Sequence, residues 1–389
     1  MQEWNCNMKT KKRILMLNYE FPPLGGGGGV ASKKLAEGFV KEGYEVDYIT
    51  TWFKGLEKSE KINGVSVHRV KVLGRKELAT ASMISLLSFP VLAYKTTKYL
   101  CKKNNYDFMM TFFAIPTGPL GVWIAKKFKL RNILTMYGGD IYDPTKKRSP
   151  HKNPVFKIAV NWVLKRSDYL VVEANDLKDK LKQYYKLNKE VKVIPLPYEN
   201  IAFKKVTREQ LNLDKDKIYL ISVGRLVERK GFDFLIKSLA ELNNKKVHIL
   251  IIGDGPEKDN LISLSKKLNV ENKVHLLGYQ SEEKKFQYLR NSDIYVLSSI
   301  HEGFGIVLQE AMQTGIPLIS TNNGGQVDII KEGKNGFFIN YGDVKSLAHK
   351  INLLIKDKPL REKMSKQNKK DINKYKTRFI VDDYRRLMR

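Results

Sequence analysis

Cysteine is nearly absent: Cys6 and Cys101 are the only two among 389 residues. One pair cannot build a disulfide framework, which excludes the stapled folds of small secreted proteins and fits a reducing, cytoplasmic location. No secretory leader is expected either, since the opening "MQEWNCNMKTKKR" has no apolar centre; Met8 is a candidate natural start. The uncharged stretch 78–94, "LATASMISLLSFPVLAY", has 17 residues and contains Ser, Thr and Pro90, short of the roughly 20 apolar residues a membrane span needs. Acidic residues are outnumbered, 41 against 70 Lys and Arg, for a net charge of +29. Nucleic acid would exploit such charge, but no recognition module for it is present, so no nucleic-acid partner is expected.

What is present is a globular composition, 42% hydrophobic and 10% aromatic, on a chain long enough for two domains of roughly 150–200 residues each. The basic excess is segregated. Residues 1–200 hold 35 Lys and Arg against 18 Asp and Glu, and 351–389 hold 13 against 5, whereas 251–350 are balanced at 11 against 12. Solvated surface lysines account for such a pattern. So does attraction to an anionic membrane surface, where each basic residue contributes about 1 kcal/mol.

Short apolar runs rich in β-branched and aromatic residues alternate with amphipathic stretches. One series falls at 14–17, 46–50, 65–70, 108–113, 132–137, 169–174 and 191–196, a second at 218–224, 247–253, 274–278, 294–299, 317–321 and 336–340. Strands spaced by helical patterns predict parallel sheets with crossover helices. Thirteen of them exceed one ordinary sheet, so the fold class is α/β with two Rossmann-like, doubly wound domains. The change of domain falls within 195–217, where prolines and charges replace the apolar periodicity. The stretch 78–94 reads as a buried crossover helix or as a helix lying partly in a membrane interface. The tail is helical, with Phe379, Ile380, Tyr384 and Leu387 about a turn apart and expected to pack.

The most specific stretch is 298–325. After a strand, Glu302-Gly303-Phe304-Gly305 makes a tight turn and Ile306 to Met312 begins a helix, whose free N–H groups and positive end make an anion site. Glu302 and Glu310, spaced Glu-x7-Glu, are suited to accept hydrogen bonds from sugar hydroxyls beside that anion. Upstream, Arg225 and Lys230 follow a strand and open the next helix; two cations there can neutralise a diphosphate leaving group without a metal. Glycine turns at 253–256 and at Gly278-Tyr279 lie at the same carboxyl edge, where open α/β sheets bind ligands. The one Asp-x-Asp, Asp214-Lys215-Asp216, precedes a strand and reads as solvated charge, so no metal is expected.

Five glycines, 25–29, follow the first strand. A linker, a dinucleotide turn and a bare loop for a phosphorylated ligand all fit such a run. Gly26-x-Gly28-x-x-Ala31 formally meets the dinucleotide fingerprint, yet Pro22-Pro23 separates strand from glycines and the second strand ends without the acidic residue a dehydrogenase needs.

Gly224-Arg225-Leu226 with Lys230-Gly231, the turn Gly253-Asp254-Gly255-Pro256, and Glu302-Gly303-Phe304-Gly305 followed by Glu310-Ala311-Met312 together resemble the family-four retaining glycosyltransferases of GT-B fold. The resemblance covers essentially the whole chain. It implies an N-terminal acceptor-side domain over 1–198, a nucleotide-sugar domain over 199–370, and a helix over 371–389 crossing back to the first. It also implies that Arg225 and Lys230 hold the diphosphate and Glu310 the ribose, with Tyr279 near the base. Glu302 and the amides of Phe304, Gly305, Ile306 and Val307 would hold the donor sugar and phosphates, Glu302, Arg225 and Lys230 acting catalytically. Gly253 belongs to the donor side, Tyr137 and Asp140 to the acceptor side. The family's Gly-Gly pair falls on Gly26 and Gly27, which leaves the other three glycines as slack for domain motion. The implied reaction retains configuration, uses the nucleotide-sugar as substrate with no cofactor, and passes the sugar to a glycan or lipid-linked acceptor. A peripheral position on the inner face of the cell membrane goes with the charge. A nucleotide-sugar epimerase or another GT-B enzyme, and a non-enzymatic sugar-nucleotide-binding protein, are the rival readings.

Three departures from the family pattern stand out. Tyr137 replaces its usual His in Thr135-Met136-Tyr137-Gly138-Gly139-Asp140, Leu196-Pro197 replaces Asn-Gly, and Gly324-Gly325-Gln326-Val327-Asp328 replaces Gly-Gly-x-Pro-Glu.

Overall fold

The computed structural model describes residues 11–78 and 80–388; the N-terminal expectations, with Cys6 and Met8, lie outside the described residues. One sheet comprises β1 (Arg13–Leu17), β2 (Glu45–Trp52), β3 (Ser59–Ile62), β4 (Val65–Lys71), β5 (Phe108–Phe112), β6 (Asn132–Met136), β7 (Tyr169–Val172) and β8 (Val191–Val193), in the order β3-β4-β2-β1-β5-β6-β7-β8. The second comprises β9 (Ile218–Val223), β10 (Val247–Ile252), β11 (Val274–Gly278), β12 (Ile294–Leu297), β13 (Leu318–Thr321) and β14 (Gly336–Ile339), in the order β11-β10-β9-β12-β13-β14. All pairings are parallel except β3 with β4. The thirteen expected strands all form. The additional β3, Ser-Glu-Lys-Ile, has no apolar run to reveal it, but Asn63 and Gly64 at φ 46° and 84° close its hairpin as Asn-Gly turns do.

The crossover helices are α1 (Gly27–Lys41), α2 (Met83–Lys103), α3 (Gly118–Phe128), α4 (Pro154–Arg166) and α5 (Asn175–Tyr185) in the first half. In the second they are α6 (Phe232–Leu242), α7 (Lys258–Lys267), α8 (Glu282–Asn291) and α9 (Ile306–Thr314), followed by α10 (Val344–Lys356), α11 (Lys358–Asp371) and α12 (Thr377–Leu387). Helices cover both faces of each sheet, so central strands such as β5 and β6 are buried at every residue. The last helix crosses back to the first domain. Ile380, Val381 and Tyr384 join the core around β1, the Tyr384 hydroxyl lies 3.1 Å from that of Thr135, and a Cβ on Gly38 of α1 would fall 2.4 Å from Thr377. Phe379, expected to pack, instead stays exposed beneath the Arg378 guanidinium.

Strand order reverses at β1, flanked by β2 and β5, and at β9, flanked by β10 and β12. Open α/β sheets bind ligands beyond the carboxyl ends of strands at such switch points, and here the two face each other. Residues 83–94 of the uncharged stretch form the first part of α2, whose Pro90 is buried. No helix among the described residues is long and apolar enough to cross a membrane.

Candidate active site

A cleft of about 840 Å3 separates the two switch points. From the first domain Gly26, Gly27, Tyr137 and Asp140 line it; from the second come Arg225, Lys230, Glu302, Phe304, Gly305, Ile306 and Val307. Sequence-predicted residues far apart in the chain thus meet in one cavity.

Lys230 sits where the connection after β9 must turn sharply. Gly231 follows at φ 60°, and a Cβ there would fall 2.2 Å from the Ser298 carbonyl oxygen, so only glycine fits. The Ser298 hydroxyl donates to the Lys230 carbonyl at 3.0 Å and the Ile300 N–H to that of Arg229 at 2.8 Å. The ammonium so positioned is paired with the Glu302 carboxylate, which also accepts from the Ser299 hydroxyl at 2.7 Å. Burial pushes the Glu302 carboxyl up. The charges of Lys230 and Arg229 and the hydrogen bonds from Lys230 and Ser299 outweigh it and hold the group below its ordinary value. Behind Glu302, Gly324 and Gly325 pack so closely that a Cβ on either would strike the backbone of Glu302 or Gly303. Arg225 is exposed and makes no ion pair among the described residues.

Gly305, at φ 95°, precedes α9 without a side-chain cap. The first N–H groups of that helix open on the cleft through Ile306 and Val307, while the Phe304 ring turns away into the core against Tyr375. Phe304 therefore contributes backbone only. The amino end of α1 faces α9, since a Cβ on Gly27 would lie 3.0 Å from Ile306 Cδ1. Unlike that of α9, it is already met by a side chain: Glu20 Oε2 accepts from the Gly26 N–H at 3.1 Å.

The remaining glycines of the run are not slack. Gly28 and Gly29 belong to the first turn of α1, and a Cβ on Gly28 would fall 2.5 Å from Phe113 and 2.9 Å from Tyr137. Gly25 takes φ 87° against Glu20, and Gly29 has Glu20 Cβ and the Leu24 carbonyl within 3.1 and 3.3 Å of its added Cβ. Only Gly26 has open space where a side chain would be. Close packing explains the run apart from Gly26.

Tyr137 is wedged between Phe112, stacked at 5.9 Å, and Phe113, edge-on at 5.3 Å. Asp140 accepts from the N–H groups of Ala114 and Tyr137 at 2.6 and 3.1 Å. It ties together the loops after β5 and β6, and burial raises its carboxyl to about 6 against those bonds. Gly253, Tyr279 and Glu310 lie outside the cleft lining. Gly253 is pressed on the Gly224 carbonyl, Tyr279 is 85% exposed, and Glu310 is buried on α9. Lys285 donates to its Oε1 at 2.7 Å, while Oε2 is buried without a partner.

Glu173 was missed. It follows β7, lines the cleft at 4% exposure and makes no hydrogen bond among the described residues; its one sequence signal is a carboxylate ending an apolar strand. A Cβ on Gly303 would fall 2.2 Å from its Oε1. Burial, then the charges of Asp140 and Glu302, push its carboxyl well above the ordinary value. A raised carboxyl contributes stability that is present below its unfolded value and lost as pH rises through the folded one. Glu173→Gln escapes that loss. Its melting temperature should exceed the parent's by a margin smallest near about pH 5 and widening toward about pH 8; a pH-independent margin in scanning fluorimetry would refute the assignment. His301 was likewise missed. Buried beside the cleft, it stands edge-on to Tyr142 at 5.1 Å with Nδ1 unpartnered, and burial lowers its pKa despite Asp176 and Glu302.

Two doubly wound domains with facing switch points, closed by a returning helix, define the GT-B class of fold. The family description Glycosyltransferase Family 4 matches residues 25–199 and Glycosyl transferases group 1 matches 203–371. The chain belongs to this family of sugar-transferring enzymes. It is 28% identical over 381 residues to an uncharacterized glycosyltransferase of Methanocaldococcus jannaschii, covering 92% of this chain and 93% of that one. It is 24% identical over 375 residues to the N-acetyl-alpha-D-glucosaminyl L-malate synthase of Bacillus anthracis, covering 93% of each. In fold it is similar to sucrose-phosphate synthase from Thermosynechococcus elongatus, with TM-score 0.83 at 20% identity over 97% of this chain and 98% of that one.

Proposed function

We propose that the enzyme moves a hexosyl unit, with retention and without a metal ion, from a nucleotide-diphosphate sugar to a glycan or lipid-linked acceptor. The observation that carries this reading is the convergence on one cleft of Arg225, the Lys230–Glu302 pair and the uncapped amino end of α9. An ammonium has three donors, so Lys230 can keep Glu302 ionised and still meet a diphosphate oxygen. Glu302, held as a carboxylate, accepts from donor-sugar hydroxyls.

In the step itself, the acceptor hydroxyl attacks the anomeric carbon on the face the diphosphate leaves. The bond from that carbon to the phosphate oxygen breaks, a new carbon–oxygen bond forms, and the acceptor proton passes to the departing phosphate oxygen. Arg225, Lys230 and the N–H groups of Ile306 and Val307 stabilise the charge that develops there. Asp214 and Asp216 take no part: they form a turn at the amino edge of β9, with the Asp216 N–H donating to Asp214 Oδ1 at 2.9 Å, while Arg225 lies past its carboxyl edge. The basic excess of the first 200 residues supports a peripheral place on an anionic membrane surface at the cytoplasmic side.

A thermal-shift screen of UDP-, GDP- and ADP-hexoses tests the donor site, because a ligand bound only by the folded state raises its melting point. One nucleotide series should raise it, the product's anomeric configuration by NMR should match the donor's, and EDTA should leave turnover unchanged. No shift with any of them, an inverted product, or loss of turnover in EDTA would each overturn the corresponding part.

A further inference from the structure

The outer face of α2 is apolar where a crossover helix ordinarily presents charge. Ile84, Leu87 and Val91 follow one stripe at spacings of three and four, exposed by 62, 60 and 63%. On α4, Val155 and Ile158 stand out at 72 and 70%. The patches are joined through the cleft, because Leu87 and Pro90 of α2 and Val155 and Phe156 of α4 also line its first-domain wall. Soluble proteins seldom leave so many large aliphatic side chains together in water.

The segment that carries the face is strongly basic in sequence. Residues 78–167 contain 15 Lys and Arg against three Asp, Asp107, Asp140 and Asp143, and the last two are buried. The α2 stripe runs directly on to Lys95, and Lys152 and Lys157 flank the exposed pair on α4. A sugar chain would find few partners for its hydroxyls on such an aliphatic wall. A second copy of the chain would bring the same positive charge face to face with itself. An anionic lipid surface satisfies both features, acyl chains receiving the aliphatic side chains and headgroups the ammonium groups.

We infer that the exposed faces of α2 and α4 form a docking surface for an anionic membrane, seated at the mouth of the cleft. The inference rests on the sugar-transfer reading only in giving that position a purpose: an acceptor carried in the membrane reaches the donor along the same apolar wall.

The test uses the full chain with Ile84→Glu, Val91→Glu and Ile158→Glu combined. All three side chains are exposed and none lines the cleft, so neither the fold nor the nucleotide-induced thermal shift should change. Wild type should co-sediment with vesicles of equimolar phosphatidylcholine and phosphatidylglycerol, far less with phosphatidylcholine alone, and the triple variant should bind the former about 100-fold more weakly. Equal binding by both proteins, or none by wild type at low salt, overturns the inference. So does a wild-type dimer in sedimentation velocity that the variant dissolves, which would make the face a self-association surface. The nucleotide shift, read in the same samples, reports on the donor site separately.

Discussion

Lys230→Ala should lower turnover by about 10²–10³-fold, the loss typical of removing one preorganised charge-stabilising donor. It should also destabilise the fold, which the exposed Arg225 would not do if replaced. Breaking a buried ion pair from one side costs about 3–5 kcal/mol. The lower end applies here, since Ser299 still donates to Glu302 and Arg229 remains 3.9 Å away. In the parent, Glu302 lies below its ordinary value, so its contribution to stability is present above the unfolded value and lost as pH falls through the folded one. Without Lys230, burial dominates, the carboxyl rises, and the sign reverses. The melting-temperature deficit of the variant should therefore widen as pH increases from about 4 to about 7. Adding Glu302→Gln should restore melting temperature without restoring transfer, separating the structural from the catalytic role. Parent-like turnover in Lys230→Ala would remove Lys230 from the donor site.

The fold was legible because both sheets are parallel and buried. Their strands read as apolar runs, and β3, a polar edge strand, escaped for want of one. The glycine turns and the Glu-x7-Glu spacing were legible because they are local in sequence; the cleft gathers Glu302 with Gly303 and Gly305, while Glu310 and the turns at 253–256 and 278–279 lie outside its lining. Contacts between distant segments were not. Nothing near Glu173 shows that Gly303 will cover it, and nothing in "HEGFG" places His301 against Tyr142. The departure at 324–328 acquires a purpose only in three dimensions: Asp328 accepts from the Asn175 N–H at 2.7 Å, capping α5 from the opposite domain. Of the stretch 78–94, residues 83–94 belong to the crossover helix α2, which is buried on one face only and leaves an aliphatic stripe exposed on the other.

The run of glycines leads to the second large effect. Gly27→Val should leave nucleotide binding intact and cut transfer by about 100-fold, the scale of a misplacement near 1 Å. A Cβ alone at Gly27 would stand 3.0 Å from Ile306 Cδ1, and the two further methyls of valine crowd that side chain and so oppose the approach of α1 and α9. On the proposed function the second domain holds the nucleotide, which is spared, whereas an acceptor held by the first is carried away from it. Trimming the partner should reverse the defect. Ile306→Ala in the Gly27→Val background reopens the space without touching the backbone N–H of Ile306, and turnover should recover. Gly28→Ala provides the contrast, because its Cβ meets the rings of Phe113 and Tyr137 within one domain. It should cost about 1–3 kcal/mol as overpacking does, and Ile306→Ala should give no rescue. Full activity in Gly27→Val, or recovery of both glycine variants by the same suppressor, would show that the approach of the two helices does not govern transfer.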